Sequence, residues 1–260
     1  MNTPDQKNDH VAVNRDFWNS YAPEWVAMGE RAWATDAPTW GNWQIPESKL
    51  HLMPQNMTGQ TAIELGCGTG YVSRWLEKRG AKVTGIDVSA EQLATARRLA
   101  DEHVSGITLI EGNAEATGLP DQSFDFAISE YGAAIWCDPE KWLPEAHRLL
   151  KPGGELVFLG NHPLTIAASP ENGEPVSYGL HRPLKNMWGA DWTNVEFDPS
   201  GIEFNRTIGD WFKLFHRVGF EVIDYHELFA PEDAFGDRFS CPVDWAKKYP
   251  SEQVWKLRKG

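Results

Sequence analysis

The sequence is poor in basic residues, and those it has form no block. Lys and Arg together number 24 among 260 residues, against 37 Asp and Glu, which leaves a formal net charge of −13. Nucleic-acid binding needs Lys and Arg clustered on one face, because the ligand is a line of phosphates. The composition therefore argues against a nucleic-acid partner.

Cysteine is scarce, and long apolar runs are missing. The three cysteines, Cys67, Cys137 and Cys241, are far apart and form no C-x-x-C pair, so we expect neither a thiolate zinc site nor a disulfide framework. No run of 18 apolar residues occurs, and the first ten residues are polar. We therefore expect no membrane span and no signal peptide, and the simplest location is the cytoplasm.

What the chain does contain, from about residue 56 to 160, is an alternation of strand-like and helix-like segments. Strands are predicted at Thr61–Leu65, Lys82–Ile86, Ile107–Ile110, Phe124–Ser129 and Glu155–Leu159. Helices are predicted between them, at Tyr71–Lys78, from Ser89 to about His103, and from Asp138 to about Leu150, before a turn at Lys151–Gly154. Such an alternation indicates βαβ units around a parallel sheet.

The segments flanking this core are less regular, and no linker separates them from it. We expect a single domain over 1–260, with an N-terminal helical cap at 1–55, a core at 56–160 and a lid insertion at 161–203. Residues 204–260 should add a helix at Thr207–Arg217 and two strands at Phe220–Leu228 and Gln253–Arg258.

A glycine loop follows the first predicted strand. Its pattern over Glu64–Gly70 is E-x-G-x-G-x-G. The dinucleotide pattern G-x-G-x-x-G would place its third glycine at Tyr71, and the phosphate-loop pattern is absent, so neither of those ligands fits. Asp87, which ends the second strand, could accept hydrogen bonds from a ribose. The alternative is a purely structural turn.

Together these residues resemble the class I S-adenosylmethionine-dependent methyltransferases, in particular those acting on small molecules. The resemblance covers about 56–160, and its motifs are Glu64–Gly70, Asp87, Gly112–Glu115, Phe124–Ser129 and Leu150–Gly154. It implies a Rossmann-like, doubly wound α/β fold whose seven-stranded sheet is mostly parallel with an antiparallel last strand. It also implies S-adenosyl-L-methionine as the cofactor.

The resemblance assigns expected roles around that cofactor. Gly66, Cys67 and Gly68 would line its methionine part, with Glu64 beneath them, and Asp87 would hold the ribose hydroxyls. The residues expected around the adenine are Val88, Asn113, Ala114 and Glu115. Those expected beside the sulfonium and the methionine carboxylate are Ser129, Glu130, Tyr131 and Tyr21.

A general base is needed when the methyl acceptor is a hydroxyl, and less so when it is a neutral amine. His162 follows the fifth strand, His181 lies in the predicted lid, and Glu130 ends the fourth strand, so these three are the candidate catalytic residues. No metal is expected, because the sulfonium is already activated. Ordinary loop packing is the alternative for each of them.

Tryptophan is the abundant residue, with 13 copies. Only Trp75, Trp136 and Trp142 fall within 56–160, so ten lie in the flanking segments. They could wall a pocket for flat aromatic or cationic molecules, or anchor the cap on the sheet. The spacing of Trp18, Tyr21 and Trp25 favours helix packing. Both interpretations stay open for the tryptophans in irregular segments: Trp40, Trp43, Trp188 and Trp192.

The sequence thus predicts an enzyme that transfers a methyl group to O, N or C of a small aromatic or apolar molecule by in-line displacement. Two alternatives remain: methylation of a basic peptide, and a protein that binds the cofactor without catalysis. The sequence predicts a small-molecule partner and leaves the oligomeric state open.

Overall fold

The computed structural model describes residues 10–260, so the first nine residues of the predicted cap lie outside the described part of the chain. The helices are α1 His10–Ala34, α2 Glu47–Leu50, α3 Tyr71–Lys78, α4 Ala90–Glu102, α5 Ala133–Trp136, α6 Pro139–Leu149, α7 Pro163–Ala168, α8 Ile208–Val218 and α9 Val243–Ala246. The strands are β1 Thr39–Trp40, β2 Ile45–Pro46, β3 Thr61–Leu65, β4 Lys82–Asp87, β5 Thr108–Glu111, β6 Phe124–Glu130, β7 Leu150–Asn161, β8 Gly189–Asp191, β9 Ile202–Phe204, β10 Phe220–Leu228 and β11 Glu252–Lys259.

A seven-stranded sheet with the order β10-β11-β7-β6-β3-β4-β5 forms the centre of the molecule. The β3–β4, β3–β6, β4–β5 and β6–β7 pairs are parallel, whereas β11 runs antiparallel to both of its neighbours, β7 and β10. The predicted mostly parallel α/β sheet with an antiparallel last strand is therefore confirmed. The strand order reverses between β3 and β6, and a ligand crevice is expected at such a switch point.

The predicted turn at Lys151–Gly154 is wrong in one respect, because it lies inside β7 and not before it. Leu150 pairs with Phe124, and the next pair is Glu155 with Phe126, so the residues between them form an irregularity in the ladder. A positive φ at Gly153 accommodates the bend. The strand therefore begins five residues earlier than its apolar run.

Helix ends follow the capping residues that the sequence contains. The Ser89 side chain accepts from the Gln92 N–H at the start of α4, and the Asp138 side chain caps α6 ahead of a proline. At the end of α8, Gly219 adopts the left-handed conformation with φ of 100°. These local signals placed the helices to within a residue or two.

Apolar residues fill both faces of the sheet. One cluster packs under α6 and α8 and includes the buried rings of Trp142, Phe158 and Trp211. The other lies against α3 and includes Trp40 and Trp75. Because both faces of the sheet are covered, a ligand is expected in the crevice at the carboxyl ends of the strands.

The long helix α1 covers the crevice from one side. The buried Asn14 amide donates to the carbonyl oxygens of Trp136 (2.9 Å) and Ile202 (3.0 Å). At the other end of α1, the Trp33 indole donates to the Thr69 carbonyl at 2.8 Å. The helix is thereby fixed to the glycine loop and to β9. No helix of residues 10–260 is both long enough and apolar enough to cross a membrane.

Candidate functional site

The glycine loop connects β3 to α3 with an unusual backbone. Gly66, Gly68 and Gly70 all have positive φ, at 76°, 50° and 75°. A Cβ at Gly66 would lie 2.6 Å from the Ala133 nitrogen, and one at Gly132 would lie 2.2 Å from the Gly66 oxygen. Real Cβ atoms do not come this close, so two glycines are required where the ends of β3 and β6 meet.

Glu64 lies beneath the loop, where the sequence predicted it. Its carboxyl accepts from the Ser73 N–H at 2.7 Å and from the Ser73 hydroxyl at 2.6 Å, at the start of α3. Burial raises the pKa of Glu64 to about 8. The side chain therefore orders the turn into α3, whatever else it contacts.

Asp87 connects the loop to the next strand. Its two carboxylate oxygens accept from the backbone N–H groups of Gly68, at 2.7 Å, and Ser89, at 2.8 Å. Burial raises the pKa of the Asp87 carboxyl, against the effect of these donors. A carboxylate has about four lone-pair positions, so it can still accept bonds from a ligand's hydroxyls.

A cavity opens above these residues and is here called the glycine-loop cavity. It encloses about 950 Å³, part of it open to solvent. The predicted site residues that line it are Glu64, Gly66, Cys67, Gly68, Asp87, Val88, Asn113, Ala114, Glu130 and Tyr131. Sequence reasoning missed other lining residues: Val11, Asn14, Trp18, Trp25, Thr69, Tyr71, Ile86, Gln92, Gly112, Gly132, Ala133, Trp136 and Cys137. Of these, Thr69 lies inside the Glu64–Gly70 motif and Gly112 inside the Gly112–Glu115 motif, and the spacing of Trp18 and Trp25 had indicated helix packing.

Three residues predicted for the cofactor do not line this cavity. Ser129 is buried, and its hydroxyl donates to the Leu65 carbonyl at 2.7 Å. Glu115 pairs with His10 at 2.5 Å, which contributes to holding its pKa below the usual range although burial raises it. Burial and a hydrogen bond to Asp198 raise the pKa of Tyr21. Each of these polar groups has a partner within the protein.

Glu130 ends β6 and faces the glycine-loop cavity. Its carboxyl accepts from the Gly41 N–H and from the Tyr71 hydroxyl, both at 2.8 Å. Burial raises the pKa of Glu130 to about 7. Tyr131, the next residue, has a φ of 54°, which is rare for a side chain of this size. Strained backbone of this kind is often found at functional sites.

A second cavity adjoins the first and is here called the aromatic cavity. It encloses about 760 Å³, part of it open to solvent, and its aromatic lining residues are Trp18, Trp25, Tyr131, Trp136, Trp192, Phe197 and Phe239. Trp25 stacks on Phe239 with ring centroids 6.1 Å apart, and Trp192 stacks on Phe197 at 3.9 Å. Trp18 and Trp25 therefore do more than the helix packing that their spacing indicated.

Other tryptophans anchor the cap, as the second interpretation held. The Trp40 indole donates to Glu47 at 2.6 Å, and the Trp43 indole donates to the Ser251 hydroxyl at 2.7 Å. Trp188 lines neither of the two cavities described above. The tryptophan-rich flanks thus combine cavity walls with structural anchors, and the sequence could not separate the two groups.

The polar residues of the aromatic cavity include Glu203, which the sequence reasoning did not single out. Glu203 lies in β9 and is 3% exposed, and its carboxyl accepts from Asn161 Nδ2 at 2.7 Å and from the Trp192 indole at 3.2 Å. Burial raises its pKa. No motif surrounds Glu203 in the sequence, so only the path of the chain brings it here.

The two predicted catalytic histidines line neither cavity. His162 is the N-cap of α7, and its Nδ1 accepts from the Leu164 N–H at 3.1 Å. Burial lowers the pKa of His162 to about 4. His181 is exposed and bonds to the Ser177 hydroxyl at 2.6 Å. Of the three predicted bases, the structure brings only Glu130 to a cavity.

The glycine-loop cavity fits S-adenosylmethionine in its chemistry. Buried oxygens of Thr69 and Gln92 have no hydrogen-bond partner in the protein, and both residues line the cavity. An adenosyl group with an amino acid tail offers donors for such oxygens and hydroxyls for a carboxylate such as Asp87. Among residues 10–260, no three His, Cys, Asp or Glu side chains are grouped so that they could hold a metal ion.

Comparison with known proteins gives a consistent result. A family model described as "Methyltransferase domain" matches residues 63–158. An uncharacterized methyltransferase of Bacillus subtilis is 36% identical over 148 residues, which is 56% of this chain and 76% of that protein.

Two further curated relatives match over a smaller share. A malonyl-[acyl-carrier protein] O-methyltransferase of Pectobacterium atrosepticum and a demethylmenaquinone methyltransferase of Thermus thermophilus are both 38% identical, over 43% and 37% of this chain. The chain spans only 42% and 45% of their lengths.

Solved structures show the same fold. An S-adenosylmethionine-dependent methyltransferase from Mesorhizobium loti superposes with a TM-score of 0.66 at 24% identity, covering 82% of this chain and 96% of that one. The [4+2]-cyclase SpnF superposes with a TM-score of 0.63 at 21% identity, covering 94% and 95%. A fold shared with a cyclase does not fix the reaction, so function must be argued from the site.

Proposed function

Because this chain belongs to the class I S-adenosylmethionine-dependent methyltransferases, we propose that it transfers a methyl group to O, N or C of a small aromatic or apolar molecule. One observation carries the proposal. The glycine-loop cavity and the aromatic cavity share Trp18, Trp25, Tyr131 and Trp136 as lining residues. A cofactor in the first cavity and an acceptor in the second would therefore meet at a common wall.

In this proposal the glycine loop and the strand ends hold the cofactor. Gly66, Cys67 and Gly68 face its methionine part, Asp87 accepts from the ribose hydroxyls, and Asn113 flanks the adenine with its neighbours Val88 and Ala114. When bound, S-adenosylmethionine supplies an electrophilic methyl group on a sulfonium. Because Gly66 has no side chain, its backbone can pack directly against that of Gly132 and Ala133 at the base of this site.

The aromatic side chains would orient the acceptor and exclude water. Trp18 and Trp136 pack edge to face with ring centroids 5.4 Å apart, so both rings have fixed positions in the shared wall. Fixing two reactants in a productive geometry can lower a barrier by roughly 7–11 kcal/mol. Orientation by a rigid wall is therefore the main contribution that we assign to this chain.

A base is required only if the acceptor loses a proton as it is methylated. Glu130 is the candidate that lines a cavity, and a carboxyl whose pKa is raised to about 7 is suited to accept a proton near neutrality. His162 and His181 remain predictions, and their positions outside both cavities give them no support. Ser129, Glu115 and Tyr21 are proposed to support the site from behind its lining.

The acceptor is proposed to be a small organic molecule. One relative supports this class by its name, which mentions demethylmenaquinone, and another is named for a malonyl group on an acyl-carrier protein. The walls of the aromatic cavity favour flat or apolar ligands over a charged peptide. Methylation of a basic peptide, and cofactor binding without catalysis, are the alternatives that the experiments must exclude.

The first test is cofactor binding. Thermal unfolding would be measured with S-adenosylhomocysteine and, separately, with NAD. A ligand at about 100 times its dissociation constant should stabilise the protein by about 2.7 kcal/mol. Stabilisation by NAD alone would contradict the proposal.

The second test is methyl transfer. The protein would be incubated with methyl-labelled cofactor and a fractionated cell extract, and the products would be analysed by mass. Label in a low-molecular-weight fraction is the expected result. Label in protein would favour the peptide alternative, and cofactor binding without any labelled product would favour a non-catalytic binder.

A further inference from the structure

Glu203 is a buried carboxyl at an exceptional position. Apart from the Tyr131 phenol and the Cys241 thiol, it is the only ionisable side chain among the residues that line the aromatic cavity. Within residues 10–260 it has no ion pair with a Lys, Arg or His. Burial of a carboxylate without a paired cation is costly, so such a group is a candidate for function.

The orientation of this carboxyl is fixed by its neighbours. Asn161 Nδ2 donates to one oxygen and the Trp192 indole to the other. The backbone of Asn161 is itself held in place. Its backbone carbonyl accepts from the side-chain amides of Asn205, at 2.8 Å, and Gln253, at 3.1 Å. Two of the roughly four lone-pair positions of the carboxylate are therefore occupied, and the others remain for a ligand.

The Arg182 guanidinium, whose charge acts on Glu203, is engaged elsewhere. The Arg182 guanidinium lies over the Trp192 ring, 4.6 Å from its centroid, and its Nε donates to the Ser169 carbonyl at 3.2 Å. Arg182 acts on Glu203 only through the electrostatic field and makes no direct bond to it. The carboxyl thus has no ion-pair partner in the described part of the chain, and its two donors are the cavity-lining side chains of Asn161 and Trp192.

The geometry points to a substrate class. We propose that the acceptor is a flat aromatic molecule bearing a hydroxyl or amino group, and that this group donates a hydrogen bond to Glu203 while the ring packs against the aromatic lining of the cavity. The inference rests on the proposed function, since it identifies the molecule that the aromatic cavity would present for methylation. Glu203 is then the residue that selects for the polar substituent.

The test compares matched aromatic probes: naphthol, aminonaphthalene, methoxynaphthalene and naphthalene. Each would be titrated by calorimetry into protein saturated with S-adenosylhomocysteine, so that no turnover is needed. A hydrogen bond to a charged acceptor should make naphthol or aminonaphthalene bind roughly 10- to 100-fold more tightly than naphthalene. Comparing the affinities of naphthol and aminonaphthalene shows whether the site prefers a hydroxyl or an amino group as the donor.

The key variant is Glu203→Leu, which removes the acceptor and keeps an apolar side chain. It should lose the preference for donating probes while still binding naphthalene and S-adenosylhomocysteine. Glu203→Gln keeps a neutral acceptor and a nearly unchanged shape, so it should reduce the preference for donating probes to a few-fold, should the leucine variant fail to fold. The control is Glu196→Leu, an exposed position on the same segment, which should keep the native preference.

Three results would overturn the inference while leaving the proposed function intact. The native protein could bind S-adenosylhomocysteine and yet show no preference for the donating probes. A folded Glu203 variant could retain that preference. The third such result is that none of the aromatic probes binds. A failure of S-adenosylhomocysteine binding would instead overturn the proposed function.

Discussion

Substitution of Gly132 by alanine tests the packing on which the glycine-loop cavity depends. A Cβ at this position would lie 2.2 Å from the Gly66 oxygen and 2.7 Å from both the Gly66 Cα and the Leu65 oxygen. All three are backbone atoms, so no side chain can rotate away. Since real Cβ contacts are at least about 3.0 Å, the end of β3 must move by about 0.8 Å.

The expected cost follows from overpacking. Inserting a methyl group into a close-packed region typically costs about 1–3 kcal/mol. For a protein of this size each kcal/mol lowers the unfolding temperature by roughly 2–4 °C. The same shift displaces Gly66 and the loop after it, so hydrogen bonds to a ligand lengthen, and we expect roughly tenfold weaker S-adenosylhomocysteine binding.

The assays are thermal unfolding followed by circular dichroism and calorimetric titration with S-adenosylhomocysteine. Gly209→Ala is the matched control, because a Cβ there meets no atom within 4 Å and the residue lies inside α8. It should stabilise the protein by about 0.4–1 kcal/mol and leave binding unchanged. The reasoning fails if Gly132→Ala unfolds at the native temperature and binds the ligand as tightly as the native protein does.

Other consequences can be checked with the same assays. Asp87→Asn leaves one of the two backbone donors without an acceptor, whichever way the amide turns. Calorimetry should therefore show S-adenosylhomocysteine binding weakened by roughly tenfold or more. An unchanged affinity would place this carboxyl outside the site. Trp33→Phe leaves the buried Thr69 carbonyl without its donor and should cost about 1–3 kcal/mol in denaturant unfolding, so an unchanged midpoint would argue that α1 is held elsewhere. Burial raises the pKa of Glu130 and Glu252 from the ordinary value of 4.5 to about 7, so the native state holds protons that the unfolded chain has released. The free energy of unfolding should therefore fall as the pH rises from about 4.5 to about 7. Glu252→Gln should flatten that profile, and an identical slope in the variant would refute the assignment.

The core of the fold was predictable because its signals are local. An apolar run of strand length, a capping residue and a glycine each act on their own few residues, as Ser89 and Gly219 illustrate. Two further strands were likewise predicted at Phe220–Leu228 and Gln253–Arg258, and the structure has them at Phe220–Leu228 and Glu252–Lys259. The irregularity at Lys151–Gly154 was placed outside β7, because a proline and two glycines look like a turn whether or not a strand continues through them.

The glycine loop and Asp87 could be placed together because the carboxyl ends of parallel strands meet at one edge of a sheet. His162 illustrates the opposite case. Its position after β7 suggested a catalytic role, yet the proline that follows it is typical of a helix start. His162 is in fact the N-cap of α7, and its Nδ1 accepts from the Leu164 N–H. A buried histidine with a lowered pKa and a structural bond is common in proteins and needs no catalytic role.

By itself, the sequence determined the class of fold, the order of the core strands and helices, and the location of the glycine-loop cavity, since these depend on periodicity and on short motifs. Only the tertiary structure decided that Trp18 and Trp25 wall a second cavity and that Glu203 faces into it. These positions depend on which face α1 turns to the sheet and on how the chain returns through β9. Contacts between residues nearly two hundred positions apart leave no local pattern, because packing and not propensity selects them.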